Sequence, residues 1–274
     1  MQVNRVWAVY WSATDRTKKI VMAVARAAGE KLGLPVERYD FTLPTARQSA
    51  PDFQDDDLVI FGTPTYAGRV PNVLLKYLAT VRGNGAAAVP VVTFGNRAFD
   101  DSLCELRDIL LDNGFHPFAA GAFACEHSFS TTLGAGRPDA DDLSEARTLG
   151  ERAAALLAAV GENTPPIAVD GRSKEERVYY KPRVEGGRVA DIRKVKPKTN
   201  DLCDCGGLCA RICPMGAINP DNVKETTGIC IKCGACVKKC PRGAKYFDDP
   251  DYLYHKTDLE ETYQRRAVNR LYLA

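Results

Sequence analysis

Eight of the ten cysteines in this 274-residue chain lie between residues 203 and 240. The second half of this cluster reads Cys230-x-x-Cys233-x-x-Cys236-x-x-x-Cys240-Pro241, so four thiolates follow one another at intervals of two and three residues. This spacing, closed by a Cys-Pro pair, is typical of a loop that wraps a cubane [4Fe-4S] cluster. The chemistry it predicts is electron transfer.

The first half of the cluster is irregular. It holds four cysteines and also ends in proline: Cys203, Cys205, Cys209 and Cys213. A regular run of this length would carry its second cysteine at position 206, where the chain has Gly206. Either the flexible pair Gly206-Gly207 lets Cys205 reach an iron, or one iron lacks its thiolate and the cluster is labile or contains three irons.

Structural zinc is the alternative for clustered cysteines. Zinc sites usually consist of two C-x-x-C pairs separated by a longer spacer, and they do not require four cysteines in one compact run. The crowding also favours metal ligation in a reducing compartment over a disulfide framework. The two remaining cysteines, Cys104 and Cys125, are predicted to be buried thiols.

The first 160 residues alternate short apolar runs with Ala-rich amphipathic stretches, which predicts βα units. Strands are predicted at residues 3–10, 35–39, 58–61, 89–93 and 115–124, and helices at 18–32, 72–81, 99–113 and 141–160. The pattern indicates a doubly wound α/β domain with a five-stranded parallel sheet.

Three loops of this domain should meet at one edge. In such a sheet, ligands bind beyond the carboxyl ends of the strands, at the point where the strand order reverses. Residues 12–17 supply hydroxyls and backbone N–H groups at a helix N-terminus, which suits a phosphate monoester, although an ordinary helix cap is the simpler reading of this loop alone. Residues 62–69 offer turns and an aromatic ring that suit a flat ligand, and residues 93–97 should lie beside them.

Residues 1–160 resemble flavodoxin, and the resemblance lies in these three loops. It implies a non-covalently bound FMN that contacts the following residues: Ser12, Ala13, Thr14, Arg16, Thr17, Pro64, Thr65, Tyr66, Gly95, Asn96 and Arg97. One departure is Asp15, which stands where many flavodoxin-like loops have glycine. A carboxylate aimed at a phosphate would repel it, so either Arg16 offsets the charge or Asp15 points to solvent with only its N–H facing inward.

Residues 198–247 resemble the bacterial two-cluster ferredoxin module, a small α+β domain. In that module the fourth cysteine of each run ligates the other run's cluster. Carried over by position, one [4Fe-4S] cluster is held by Cys213, Cys230, Cys233 and Cys236. The other is held by Cys203, Cys205, Cys209 and Cys240.

The segments outside these two domains are less regular. Residues 162–197 contain repeated Pro and Gly and predict an extended linker, which Tyr179-Tyr180 could pin to the surface. The tail, residues 248–274, has apolar residues at loosely helical spacing, and we expect a closing helix from Leu259 to Leu271.

The whole chain resembles the flavodoxin-ferredoxin fusion family of anaerobic bacteria and archaea, with further likeness at residues 179–182, 193–200 and 252–256. The resemblance implies an electron carrier that relays electrons between FMN and two clusters. An enzyme is the alternative, a flavin-dependent reductase that passes cluster electrons to a small acceptor. A redox sensor that has lost FMN is a third possibility, and no G-x-G-x-x-G fingerprint for a nicotinamide is present.

Composition excludes some partners. The formal charge of +2 is too small to predict nucleic-acid binding. No stretch is apolar enough for a membrane helix, and the first residues lack the features of a secretory leader, so we expect a cytoplasmic protein. Lysines and arginines around the cysteines predict a solvated surface that offsets the cluster charge, or a docking patch for an acidic redox protein.

Overall fold

Parallel strands that are buried on both faces form the centre of the N-terminal half. A computed structural model describes residues 1–161 and 163–273. The strands are β1 (Arg5–Tyr10), β2 (Val36–Asp40), β3 (Asp57–Pro64), β4 (Ala87–Phe94), β5 (His116–Pro117) and β6 (Ala119–Ala124). All eight residues of β4 are buried. Such continuous burial explains why these strands read as unbroken apolar runs.

The strand order confirms the predicted fold. The sheet runs β2-β1-β3-β4-β6, and every neighbouring pair in this series is parallel. This is the flavodoxin-like order of a doubly wound sheet, whose reversal point lies between the first and third strands. The predicted fifth strand, residues 115–124, is interrupted at Phe118 and appears as β5 and β6, both paired with β4.

Four helices cover the two faces of the sheet: α1 (Arg16–Leu32), α2 (Asn72–Leu78), α3 (Ser102–Asp112) and α4 (Ala140–Leu156). Helices α1 and α4 pack together over one face, where their apolar sides join one buried cluster. Helices α2 and α3 contribute to the cluster on the other face. The two-sided cover leaves the carboxyl edge of the strands for the loops that follow them.

The cysteine-rich module is built from short elements. Strand β7 (Lys198–Thr199) pairs antiparallel with β8 (Lys245–Tyr246), and between them lie the short helices α5 (Leu208–Arg211) and α6 (Ala235–Lys238). Its own apolar core is small and includes Ile218, Val223 and Cys236. The small α+β module is therefore present as expected.

The predicted closing helix was misplaced. Helix α7 spans Pro250–Thr262, and the chain then forms strand β9 (Arg270–Leu273), which pairs antiparallel with β6 at the edge of the sheet. The Asp249 carboxylate accepts a hydrogen bond from the backbone N–H of Tyr252, and Pro250 occupies the first turn of α7. These two residues make the helix begin at Pro250, nine residues before the predicted start at Leu259. Leu271, read as helical, lies in β9.

The linker crosses the surface with little regular structure. The backbone N–H of Tyr180 donates to the carbonyl of Ala67 at 2.8 Å, and the Arg97 guanidinium lies 4.1 Å from the centroid of the Tyr180 ring. Tyr179-Tyr180 thus pins the linker beside the predicted ring-binding loop. The domain limits at 162, 198 and 248 stay predictions, and Glu162 and Ala274 lie outside the described residues. Within those residues, no helix combines the length and apolarity needed to cross a bilayer.

Candidate functional site

The loop between β1 and α1 forms a small polar cavity. Its lining includes Ala13, Thr14, Arg16 and Thr17, and its volume is about 50 Å³. Ser12 does not line this cavity, because its hydroxyl accepts a hydrogen bond from the backbone N–H of Lys18 at 3.0 Å. The cavity lies at the N-terminus of a 17-residue helix, where free N–H groups favour an anion.

Asp15 does not point its charge into this cavity. Its carboxylate pairs with the ammonium of Lys239 in the cysteine-rich module at 2.9 Å. The residue adopts a left-handed backbone conformation with φ +64°, which non-glycine residues adopt rarely. The carboxylate thus contacts Lys239, where the sequence analysis expected either solvent or Arg16, and Asp15 joins the two domains.

A larger cavity of about 210 Å³ adjoins the first one. Tyr66, Gly95 and His127 line both cavities, so a ligand could extend from one into the other. The Tyr66 ring packs edge-on against Trp11, with 5.8 Å between the ring centroids. On the opposite side, the lining comes from the linker, the cysteine-rich module and α7: Tyr180, Pro182, Ile192, Ile231, Lys232, His255 and Leu259.

The predicted site residues separate into two groups. Thr65 and Tyr66 line both cavities, Pro64 lines the small one and Arg97 the large one. Asn96 lines neither: its side-chain amide donates to the carbonyls of Tyr263 and Arg265, both at 2.8 Å. The Asn96 side chain therefore fastens the C-terminal tail to the sheet.

Two histidines were not among the predicted site residues. His127 follows β6, the fifth parallel strand, and its Nδ1 accepts a hydrogen bond from the backbone N–H of Phe129 at 3.1 Å. Burial lowers the pKa of His127 to about 3, so this imidazole is neutral at physiological pH. His255 of α7 also lines the large cavity, and burial lowers its pKa as well. The position of His127 just after a parallel strand was the signal that could have indicated it.

The regular cysteine run forms the second candidate site. Cys213, Cys230, Cys233 and Cys236 line one cavity, together with the first turn of α6. The backbone N–H of Ala217 donates to the sulfur of Cys213 at 3.3 Å, and that of Lys232 donates to Cys230 at 3.4 Å. Burial raises the pKa of Cys233 to about 12, so a metal must replace its proton to make it a thiolate.

This arrangement fits a [4Fe-4S] cluster. Four cysteines converge as the motif predicts, and N–H groups directed at sulfur stabilise the thiolate charge.

The irregular run is only partly assembled. Cys203 and Cys209 are half-buried and pack against the core of the module. Cys240 accepts a hydrogen bond from the backbone N–H of Ala244 at 3.3 Å. Cys205 is exposed and has a left-handed backbone, with φ +57°.

Glu126 connects the small cavity with the cysteine-rich module. Its carboxylate accepts from the Arg16 guanidinium at 2.7 Å and from the Lys238 ammonium of α6. Lys238 also donates to the carbonyl of Ser130 at 2.6 Å. Next to it, a Cβ atom at Gly234 would lie 2.5 Å from the carbonyl oxygen of Ser128, so only glycine fits. The cluster-binding segment is therefore tightly packed against residues 126–130.

Replacing Glu126 with glutamine should destabilise this junction by about 1–3 kcal/mol at pH 7, because two partly buried cations lose their counter-charge. Burial raises the pKa of Glu126, but Lys238 and Arg16 outweigh it, and the net pKa lies below its usual value. The stabilisation is therefore present above about pH 4.3 and is lost as the pH falls below it. Urea unfolding at pH 7 and at pH 3 measures both effects.

The control for this change is Arg147→Gln, which breaks an exposed pair with Glu30. It should cost less than about 1 kcal/mol. If Glu126→Gln lowered the free energy of unfolding as much at pH 3 as at pH 7, the result would contradict an electrostatic role for Glu126.

Comparisons with known proteins match one short segment of the chain to a family and the N-terminal half to several solved structures. Residues 226–246 match the family described as the 4Fe-4S binding domain. A search of curated proteins found no match. Among solved structures, the chain is similar to a flavodoxin of Streptococcus pneumoniae, at 19% identity over 57% of this chain and 98% of that one, with a TM-score of 0.37.

Two further flavodoxin structures are similar at comparable levels. Flavodoxin 1 of Bacillus cereus is 15% identical over 54% of this chain and 95% of its own, with a TM-score of 0.39. A Fusobacterium nucleatum flavodoxin variant bound to flavin mononucleotide is 16% identical over 55% and 93%, with a TM-score of 0.35. The fold assignment itself rests on the strand order.

Proposed function

We propose that this chain, which joins a flavodoxin-like domain to a 4Fe-4S module and serves electron transfer, relays electrons between a bound FMN and two iron-sulfur clusters. One observation carries the proposal. Ile231 and Lys232 lie between the cluster ligands Cys230 and Cys233, and they line the large cavity together with Tyr66 and Arg97. The same loop would thus contact the flavin on one side and iron on the other.

FMN suits the paired cavities in shape and charge. The small cavity would take the phosphate at the N-terminus of α1, and the large one would take the flat ring beside Tyr66. When bound, FMN exchanges one or two electrons, whereas each cluster exchanges one. Joining them would let a two-electron partner communicate with a one-electron partner.

Tyr66 would stand between the flavin and the nearer cluster. Burial, and then the neighbouring Cys233 and Cys230, raise the pKa of the Tyr66 hydroxyl well above its ordinary value, so the phenol stays protonated. The nearer cluster would be held by the regular set: Cys213, Cys230, Cys233 and Cys236. The other cluster would lie farther along the module, at the irregular run.

The size and lining of the large cavity favour a relay over the reductase alternative. The linker and α7 line the side of this space opposite the loops of the N-terminal domain, and its volume is about 210 Å³. A flavin ring would leave little room for a second organic substrate. Electrons would therefore leave through the clusters or a docked protein.

An acidic redox protein is the partner that we propose for the module. Several of its cations are used internally: Lys198, Lys238, Lys239 and Arg242 each pair with a carboxylate of the same chain. Lys194, Arg211 and Lys224 are exposed and form no ion pair within the described part of the chain. Opposite charge on a partner would steer it toward these residues.

The relay is tested by intramolecular kinetics. The protein is loaded anaerobically with FMN, iron and sulfide, and its flavin and iron contents are measured. A one-electron reductant is then mixed with it in a stopped-flow instrument, and flavin and cluster absorbance are followed separately. We expect a phase of flavin reduction whose rate is independent of protein concentration. A rate that rises in proportion to protein concentration, or a protein that binds no flavin, would contradict the relay.

Replacing Tyr66 with alanine should weaken FMN binding by roughly 5- to 150-fold, since stacking on an aromatic ring contributes about 1–3 kcal/mol. Titration of the apoprotein with FMN, followed by flavin fluorescence, measures the change. The matched control is Tyr66→Phe, which keeps the ring and should stay within about threefold of the native affinity. Equal losses in both variants would show that the hydroxyl, and not the ring, contacts the ligand.

A further inference from the structure

The two cysteine runs are halves of an internal repeat in which equivalent residues are 27 positions apart. Three pairs of equivalent residues share a left-handed backbone: Cys205 with φ 57° and Lys232 with 53°, Gly207 with 73° and Gly234 with 75°, and Gly216 with 58° and Gly243 with 60°. Gly207 caps α5 as Gly234 caps α6. The two runs therefore have the same backbone course.

The offset of 27 positions shows which cysteines of the two runs are equivalent. Cys203, Cys209 and Cys213 match Cys230, Cys236 and Cys240, but the partner of Cys233 is Gly206.

Cys205 is equivalent to Lys232, which is not a cysteine position of the regular run. The Lys232 ammonium donates to the carbonyl oxygens of Arg193 at 3.2 Å and Cys230 at 3.1 Å. Cys205 is correspondingly exposed, whereas Cys203 and Cys209 are half-buried.

The glycine pair does not twist to bring Cys205 inward. The N–H of Gly206 donates to the Asp204 carboxylate at 3.1 Å, and its carbonyl accepts from Arg211 at 3.0 Å. These bonds hold the segment in the conformation of the regular run. The Asp204 carboxylate is also paired with Arg242 at 2.7 Å.

We propose that the irregular site holds a three-iron [3Fe-4S] cluster through Cys203, Cys209 and Cys240, and that Cys205 is not a ligand. This inference rests on the two-cluster function proposed above. In a cubane each iron takes one thiolate from the protein. With three thiolates available, the corner nearest Gly206 has no protein ligand, and its iron is not retained.

The experiment restores the missing thiolate with Gly206→Cys. A Cβ atom at this position would meet only the Asp204 carboxyl group, at 3.2 Å from its oxygen, and the backbone there is not left-handed. Each protein is reconstituted anaerobically with excess iron and sulfide, so that any site able to hold four irons is filled. Iron and sulfide per chain are measured, together with the electron paramagnetic resonance spectrum of the oxidised protein. An oxidised three-iron cluster is paramagnetic, whereas a four-iron cluster in its usual oxidised state is not.

We expect about seven irons and the three-iron signal in the native protein, in Cys205→Ser and in the control Gly206→Ala. Gly206→Cys should contain about eight irons and lose the signal. Should Gly206→Cys fail to fold, the iron content of the native protein compared with that of Cys205→Ser still shows whether Cys205 is a ligand.

Two results would overturn the inference while leaving two clusters in place. Eight irons in the native protein and fewer in Cys205→Ser would make Cys205 a ligand. Eight irons in both would mean that the fourth iron is held without a thiolate. A different result, about four irons in both the native protein and Gly206→Cys, would contradict the proposed two-cluster function itself, because the second site would then hold no cluster.

Discussion

Replacing Cys230 and Cys236 together with alanine should abolish electron exchange between iron and flavin while FMN remains bound. In the proposed relay both cysteines are ligands of the nearer cluster, and with two thiolates left that site should lose about four irons. The two cavities proposed for FMN are lined mainly by the N-terminal domain, and neither cysteine is among their lining residues. The measurements are iron and FMN per chain, followed by the stopped-flow assay, in which the concentration-independent phase should disappear.

The internal repeat supplies a matched control. Cys203 and Cys209 occupy the equivalent positions in the other run, so replacing them with alanine should empty the distant site and leave exchange with the nearer cluster intact. Fast exchange in the Cys230/Cys236 variant would show that electrons reach the flavin by another route. Loss of exchange in both variants, with flavin retained, would indicate that the whole module had unfolded.

Local signals were sufficient to predict the sheet and the edge at which its loops meet. Strands β1, β3 and β4 are buried on one face or on both, and the resulting apolar runs are visible in the sequence. Once five parallel strands are expected, the rule for carboxyl edges brings residues 12–17 and 62–69 together. The spacing of the cysteines likewise depends only on neighbouring residues.

The directions of several side chains could not be predicted, because they depend on contacts between residues that are far apart in the sequence. The direction of Asp15 is fixed by Lys239, and the use of the Asn96 side chain is fixed by the tail. The exposed state of Cys205 follows from backbone angles that the spacing of cysteines does not specify. Asp15 and Asn96 contact residues far away in the sequence, and Cys205 has an unusual backbone conformation. The periodicity of apolar residues indicates neither.

The C-terminal tail is the clearest case of a structure that depends on long-range contacts and could not be predicted from local patterns. Four residues of β9 extend the sheet by pairing with β6, about 150 positions earlier in the sequence. A buried polar network holds this strand: the Arg137 guanidinium pairs with the Asp142 carboxylate, and the Asn269 amide donates to Asp142 at 2.9 Å. The Asn269 carbonyl oxygen in turn accepts from the backbone N–H of Ala124 at 2.9 Å.

Replacing Asp142 with alanine should therefore destabilise the protein by about 3–5 kcal/mol, since it leaves the Arg137 charge buried without its partner. The side chains of Arg137 and Asp142 are only 4% and 0% exposed. Burial raises the pKa of Asp142, but the hydrogen bonds from Arg137 and Asn269 outweigh it, and the net pKa lies below its ordinary value. The stabilisation should accordingly be present above about pH 4 and be lost as the pH falls. Urea unfolding between pH 3 and pH 7 measures the effect.

The exposed pair that Arg266 forms can be compared with the buried Arg137–Asp142 pair, to show how much of the effect depends on burial of the charges. Its guanidinium pairs with Asp139 at 2.7 Å and also approaches Asp142, but its side chain is 53% exposed. Arg266→Ala should cost less than about 1 kcal/mol, because water replaces the lost partner at an exposed site. If the two variants were equally destabilised, the position of β9 would depend on its strand pairing and apolar contacts, and the Arg137–Asp142 pair would not be what fixes the tail.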